Sequence, residues 1–250
     1  MAHASLDLGQ GYAAETHART AWLCADMAED NQLRTYIRWV QSNIAYWNGQ
    51  YRKAAEIAES GREFATTGTG LLRLASQEAR AHAAMRDHRG VENALGLATT
   101  ASATADANDD HPGGIFTFEP GKAAYYASEA RFALGGIDNL RRAIVEAEEA
   151  LTIFGEQPAE TRCVEFVAAA RIDAALAHAA MGSLDLVDKA VRPVLSLASE
   201  NRTLPISQRM TQIDTELGAS RYAGSPLAIE LRERIELFNA YPAARELPSA

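Results

Sequence analysis

The amino-acid sequence predicts an all-α fold of stacked helical hairpins, and three observations predict it. The chain is rich in alanine, with 47% hydrophobic and 23% charged residues, too apolar for a disordered chain and well suited to closely packed helices. Short turns recur along it, at Gly9-Gln10, Gly49-Gln50-Tyr51, Arg86-Asp87, Gly135-Gly136 and Gly182-Ser183. Small or branched residues follow three of these turns at steps of three and four: Ala54, Ala58 and Gly61; Val91, Leu95 and Ala98; Val187, Val191 and Val194. Such steps place each set on one helix face, where a neighbouring helix must sit close.

Taken in order, the periodicity predicts helices at roughly 12–29, 33–48, 51–66, 70–86, 89–105, 121–134, 138–154, 160–181, 184–198, 206–217 and 226–239. The intervals between successive turns are 40, 37, 49 and 47 residues. The first two lie near the ~34-residue period of tetratricopeptide repeats and the later two imply insertions. The text before two turns nearly repeats itself, as Ala81-His82-Ala83-Ala84-Met85 and Ala177-His178-Ala179-Ala180-Met181. The full expectation is a right-handed superhelix of tetratricopeptide-like hairpins over residues 1–241, one repeat domain, with a frayed tail at 242–250. Its first repeat is expected to be incomplete, since only Ala2 to Leu8 precede the first turn and a full helix needs about 12–14 residues. The stretch from Asn108 through Asp109, Asp110, His111 and Pro112 to Gly114 carries turn chemistry, and Phe116 and Phe118 after it should fold back onto the protein.

Four segments together resemble one family. Arg34 to Gly49, the Gly113-to-Phe118 stretch with Lys122 and Tyr125-Tyr126, Leu197 to Thr203, and Arg221-to-Pro226 running into Leu231-Arg232-Glu233 are similar to stretches of the C-terminal tetratricopeptide-like domain of actinobacterial Xre/Cro-type helix-turn-helix transcriptional regulators. The resemblance implies an effector-sensing and dimerisation module, a homodimer, and contact with DNA only through an N-terminal domain that this chain lacks. A net charge of −9 agrees, because an acidic surface repels phosphate. A freestanding adaptor that holds a partner protein's segment is the alternative.

Several classes of function leave no trace in the sequence. There is no signal peptide and no span of ~18 apolar residues, so a cytoplasmic protein without a membrane segment is expected. Cys24 and Cys163, far apart, read as core residues of a reducing compartment rather than as a disulfide or a metal cluster. No histidine pair has helical zinc spacing, Asp109-Asp110-His111 reads as a solvated turn before it reads as a metal site, and no cofactor fingerprint is present. An enzyme using a helical-repeat cavity would need titratable groups to meet, with Glu78, His82, Asp173 and His178 the first to consider.

The concave groove is the better candidate for function, since the first helix of each hairpin lines it. Arg38, Gln41 and Ala45 share one face of such a helix, and Lys122, Tyr125 and Tyr126 lie on a later one, with Phe116 and Phe118 entering from the preceding loop. Cations among aromatics suit a small acidic or amphipathic ligand or a peptide carboxylate. The same residues would also serve as inter-repeat packing and ordinary surface. His82 and His178, at equivalent repeat positions, would either line the groove or pack between helices.

Overall fold

The computed structural model describes residues 1–65, 68–104 and 114–243, and among these it is all-helical, without a strand. Twelve α-helices follow one another: α1 Ala2–Asp7, α2 Gly11–Met27, α3 Asn31–Trp47, α4 Tyr51–Gly61, α5 Gly68–Ala84, α6 His88–Thr104, α7 Pro120–Leu134, α8 Ile137–Glu156, α9 Val164–Ala180, α10 Leu184–Leu195, α11 Leu204–Leu217 and α12 Pro226–Asn239. Every helix expected from periodicity is present, and α1 adds one more, a short helix packed on α2. The expected 160–181 helix begins later, at Val164, with Cys163 as its extended N-cap. The expected 51–66 helix ends at Gly61.

Local chemistry sets the hairpins. At the turns after α1, α3, α5 and α9 a residue sits in the left-handed region: Gly9, Gly49, Arg86 and Gly182, with φ of 75°, 73°, 57° and 85°. The next amide then donates back to the carbonyl five residues earlier, as in Gln50 N to Ala45 O at 2.9 Å and Asp87 N to His82 O at 3.0 Å. This is the Schellman closure that glycine makes easy. Helices α7 and α12 start on prolines and α11 has one at its second position, Pro205, where there is no intrahelical partner for an amide to lose.

Each odd-numbered helix packs against the even-numbered helix that follows it. The faces expected to be close are close: Ala54, Ala58, Val91, Val187, Val191 and Val194 are fully buried, and Leu95 is half-buried. Ser42 Oγ donates to Ala54 O across α3–α4 and Ser128 Oγ to Ala143 O across α7–α8, both at 2.7 Å. The same device thus closes two hairpins. The odd helices also touch one another in sequence, α1–α3–α5–α7–α9–α11, and α1 then touches α11. This circuit of first helices surrounds an axis, while the even helices lie outside it.

Two sequence expectations need correction. Cys24 is exposed and Cys163 half-buried, so neither is a core residue. Cys24 shares α2 with buried Ala14, Ala18 and Ala25 but is rotated 100° from Ala25, which turns it outward. The turn residues Asp109, Asp110 and His111 and the tail from residue 244 lie outside the described residues.

Candidate functional site

The odd helices turn residues inward at steps of three and four, most of them polar or aromatic within alanine-rich sequence. On α1 these are His3 and Asp7; on α3, Trp39, Asn43 and Trp47; on α9, Glu165, Ala169 and Asp173. Lys122, Tyr125, Tyr126 and Glu129 share the inner face of α7, Gln77 and Arg80 that of α5, and Ile206 and Arg209 that of α11. One cavity of about 30 Å³ receives residues from all six odd helices, among them His3, Asn43, Arg80, Lys122, Glu165 and Arg209. That volume holds about one water molecule.

Beside the cavity runs an ion-pair chain. Arg80 Nε lies 2.7 Å from Glu129 Oε2, Arg209 bridges Glu129 and Asp173, and Tyr46 donates to Glu129 Oε1 at 2.6 Å. Arg80 also donates to Gln77 at 2.8 Å and to Asn43 at 3.4 Å. Burial opposes the charge on Glu129, but Arg209 and Arg80 overcome it and bring its pKa down to about 2. Burial pushes Asp173 upward; Arg209 offsets this in part and Glu129 adds repulsion. Two carboxylates flanking one guanidinium thus titrate as a set.

The cavity's other end holds titratable groups without such compensation. Lys122 is 8% exposed, and its Nζ takes part in no hydrogen bond or close ion pair among the described residues. Its neighbours are ring faces, with centroids at 4.1 Å for Phe166, 4.7 Å for Trp39, 5.7 Å for Phe118 and 5.8 Å for Tyr126. Burial, and then the charge of Arg73, lowers its pKa to about 7 against the pull of Glu165. Burial and Lys122 lower His3 to about 4, while burial and Glu165 raise Asp7 to about 7. The 3.5 Å contact between His3 Nδ1 and Asp7 Oδ2 therefore joins an uncharged imidazole to a carboxyl close to half-protonated at neutral pH. Burial also raises Glu165, which accepts from Thr203 Oγ1 at 3.2 Å.

The structure brings together some of the expected site residues and separates others. Lys122, Tyr125 and Tyr126 lie at the axis. Phe118 folds back as expected: it is 3% exposed, its amide donates to Thr69 Oγ1 at 2.8 Å, and Arg73 donates to the preceding carbonyl of Thr117 at 3.0 Å. Phe116 packs half-buried on Tyr36 at 5.5 Å. Arg38, Gln41 and Ala45 belong to a different surface. Arg38 stacks over Trp22 of α2 at 3.8 Å, and Gln41 and Ala45 border an open groove of about 400 Å³ with Arg19 and Lys53. The physical reason is helix rotation: the inner face of α3 is Trp39-Asn43-Trp47, and a shift of one or two residues turns a side chain away by 100–200°.

His82 and His178 sit in the last turns of α5 and α9, at the hairpin ends rather than the axis. His82 Nδ1 is 2.9 Å from Asp87, with Gly90 directly against its ring, and His178 is half-buried. Of the other residues considered for an enzyme, Glu78 stays beside His82 and Asp173 pairs with Arg209, so the four do not meet. Sequence reasoning missed Arg80, Arg209, Glu129, Glu165 and His3, whose one visible signal was a polar residue at helical spacing inside an apolar stretch. Among the described residues no group of three or more possible metal ligands comes together, and no helix is long and apolar enough to cross a membrane. Comparison with protein families, curated proteins and solved structures finds no match.

Proposed function

We propose that this chain is an effector-sensing module that binds a small acidic or amphipathic ligand at its axial cavity, and that its hairpins stack in the tetratricopeptide manner. The observation that carries the reading is Lys122, a buried amine among ring faces, lining a cavity to which every odd helix contributes. In its protonated form a buried amine attracts an anion strongly. The cavity as it stands has room for about one water, so a larger ligand must part the odd helices, most simply where α1 meets α11. Bound and free proteins then differ in the arrangement of the circuit, and that difference is what a sensor transmits. In a regulator of the Xre/Cro helix-turn-helix kind, the changed arrangement would reposition a DNA-binding domain.

A stripe on α2 favours a protein interface as the second reading. Tyr12, Leu23 and Met27 lie within about 60° of one another and are 84%, 60% and 86% exposed. A homodimer or an adaptor contact would use it.

The test is a thermal-shift and native mass-spectrometry screen of small carboxylates against the purified chain and Lys122→Met. A carboxylate that stabilises the parent chain and loses at least about tenfold in affinity with the variant supports the reading. Carboxylates that bind both proteins equally, or neither, sink it.

A further inference from the structure

The aromatic surroundings of Lys122 select for more than a negative partner. An ammonium has three donors, and Lys122 has ring faces and room for about one water around it rather than a hydrogen-bonded protein acceptor among the described residues. Each unmet buried donor is costly. Ring faces attract positive charge without accepting a conventional hydrogen bond. The cage formed by Phe166, Trp39, Phe118 and Tyr126 therefore best suits a cation with few N–H groups. A protonated imine is such a cation: it keeps the charge of the ammonium and carries one N–H in place of three. The reactive precursor, the neutral amine, is well populated at neutral pH, because burial and Arg73 bring Lys122 to about 7. Glu165 lines the same cavity, and burial keeps its carboxyl protonated to higher pH than usual.

We infer that Lys122 is a covalent capture site for a small aldehyde or 2-oxo acid, whose carbonyl carbon forms an imine with Nζ, with Glu165 as the acid that expels water. The inference rests on the reading of the axial cavity as the ligand site. The neutral amine adds its lone pair to the carbonyl carbon, forming the C–N bond, and a proton passes from nitrogen to oxygen to give the carbinolamine. The Glu165 carboxyl then protonates the hydroxyl group, and the C–O bond breaks with loss of water. The nitrogen lone pair completes the C=N bond. The products are a protonated imine and the Glu165 carboxylate, and no oxidant or reductant takes part. A cavity of about 30 Å³ holds about one water, so the carbonyl group reaches Nζ only as the odd helices part, which favours the smallest aldehydes and 2-oxo acids.

The chain has three lysines, Lys53, Lys122 and Lys189, so the adduct can be assigned directly. Lys53 and Lys189 are exposed and serve as internal references. The purified protein is incubated with glyoxylate or acetaldehyde in the presence of cyanoborohydride, and adducts are mapped by peptide mass spectrometry. The expected result is reductive labelling of Lys122 at least about tenfold faster than of Lys53 or Lys189, as for an activated buried amine. Glu165→Gln should slow only the Lys122 adduct, and Lys122→Arg should abolish it while the references label as before. Labelling of Lys122 no faster than the references overturns the capture site. An unchanged rate in Glu165→Gln overturns the role of that acid. Native mass spectrometry with carboxylates and no reductant separates the two readings. Carboxylate binding without a Lys122 adduct leaves the sensor standing and removes the imine; loss of both removes the cavity as a ligand site.

Discussion

At the scale of single residues, holding the Lys122 ammonium among ring faces beside a cavity of about one water carries a desolvation cost. The ordinary lysine value of 10.5 falls to about 7 for Lys122. Between those values the unfolded chain holds a proton that the native chain has released, so stability rises with pH across that window. Below about pH 7 both states are protonated and the native state carries the whole penalty. Lys122→Met should therefore raise unfolding stability at pH 6 by about 2–4 kcal/mol, an amount that follows from the shift less the lost attraction of the rings. The gain should shrink as pH rises from 7 towards 10.5. Urea denaturation at a series of pH values checks both sign and window, and a variant less stable than the parent at pH 6 would show that the aromatic cage outweighs desolvation.

At the scale of elements, the hairpins owe their form to left-handed turn residues and to close helix faces. Arg86 occupies φ 57° where the equivalent turns have glycine. Arg86→Gly should stabilise the protein by about 0.5–1 kcal/mol, since a side chain in that region is strained. Gly61 lies at the opposite limit, in a crowded contact. A Cβ there would stand 2.9 Å from both Arg38 Cβ and Leu74 Cδ2. Gly61→Ala should cost about 1–3 kcal/mol through overpacking, although alanine is the better helix former. Thermal unfolding of the two variants should move in opposite directions. Both positions were legible beforehand: the turn at Arg86-Asp87 from its place in the repeat, and Gly61 from its step of three after Ala58. The inner face of α3 was not legible, because Arg38-Gln41-Ala45 and Trp39-Asn43-Trp47 are equally regular helical stripes. Only the neighbours of α3 distinguish them.

At the scale of the whole molecule, the ion-pair chain ties distant helices together. Arg80 of α5, Glu129 of α7, Asp173 of α9 and Arg209 of α11 form one connected set, joining residues as far as 80 apart in sequence. Arg209→Ala would leave two buried carboxylates without a shared partner and should cost about 3–5 kcal/mol. Replacing the Arg209–Asp173 pair together by Met and Leu should recover most of that loss, since a buried pair contributes less than its broken half costs. Equal destabilisation in the single and double variants would mean that packing, not charge, is the function of Arg209. The amino-acid sequence by itself determined an all-helical chain, where its helices lie, and which turns reverse it. Those features depend on a 3.6-residue period and on backbone sterics within a few residues. The tertiary structure alone decided which stripe of each odd helix faces the axis, that α1 meets α11, and which arginine meets which carboxylate. Each of these depends on helix rotations of 100° per residue and on partners tens of residues away, and no local pattern encodes either.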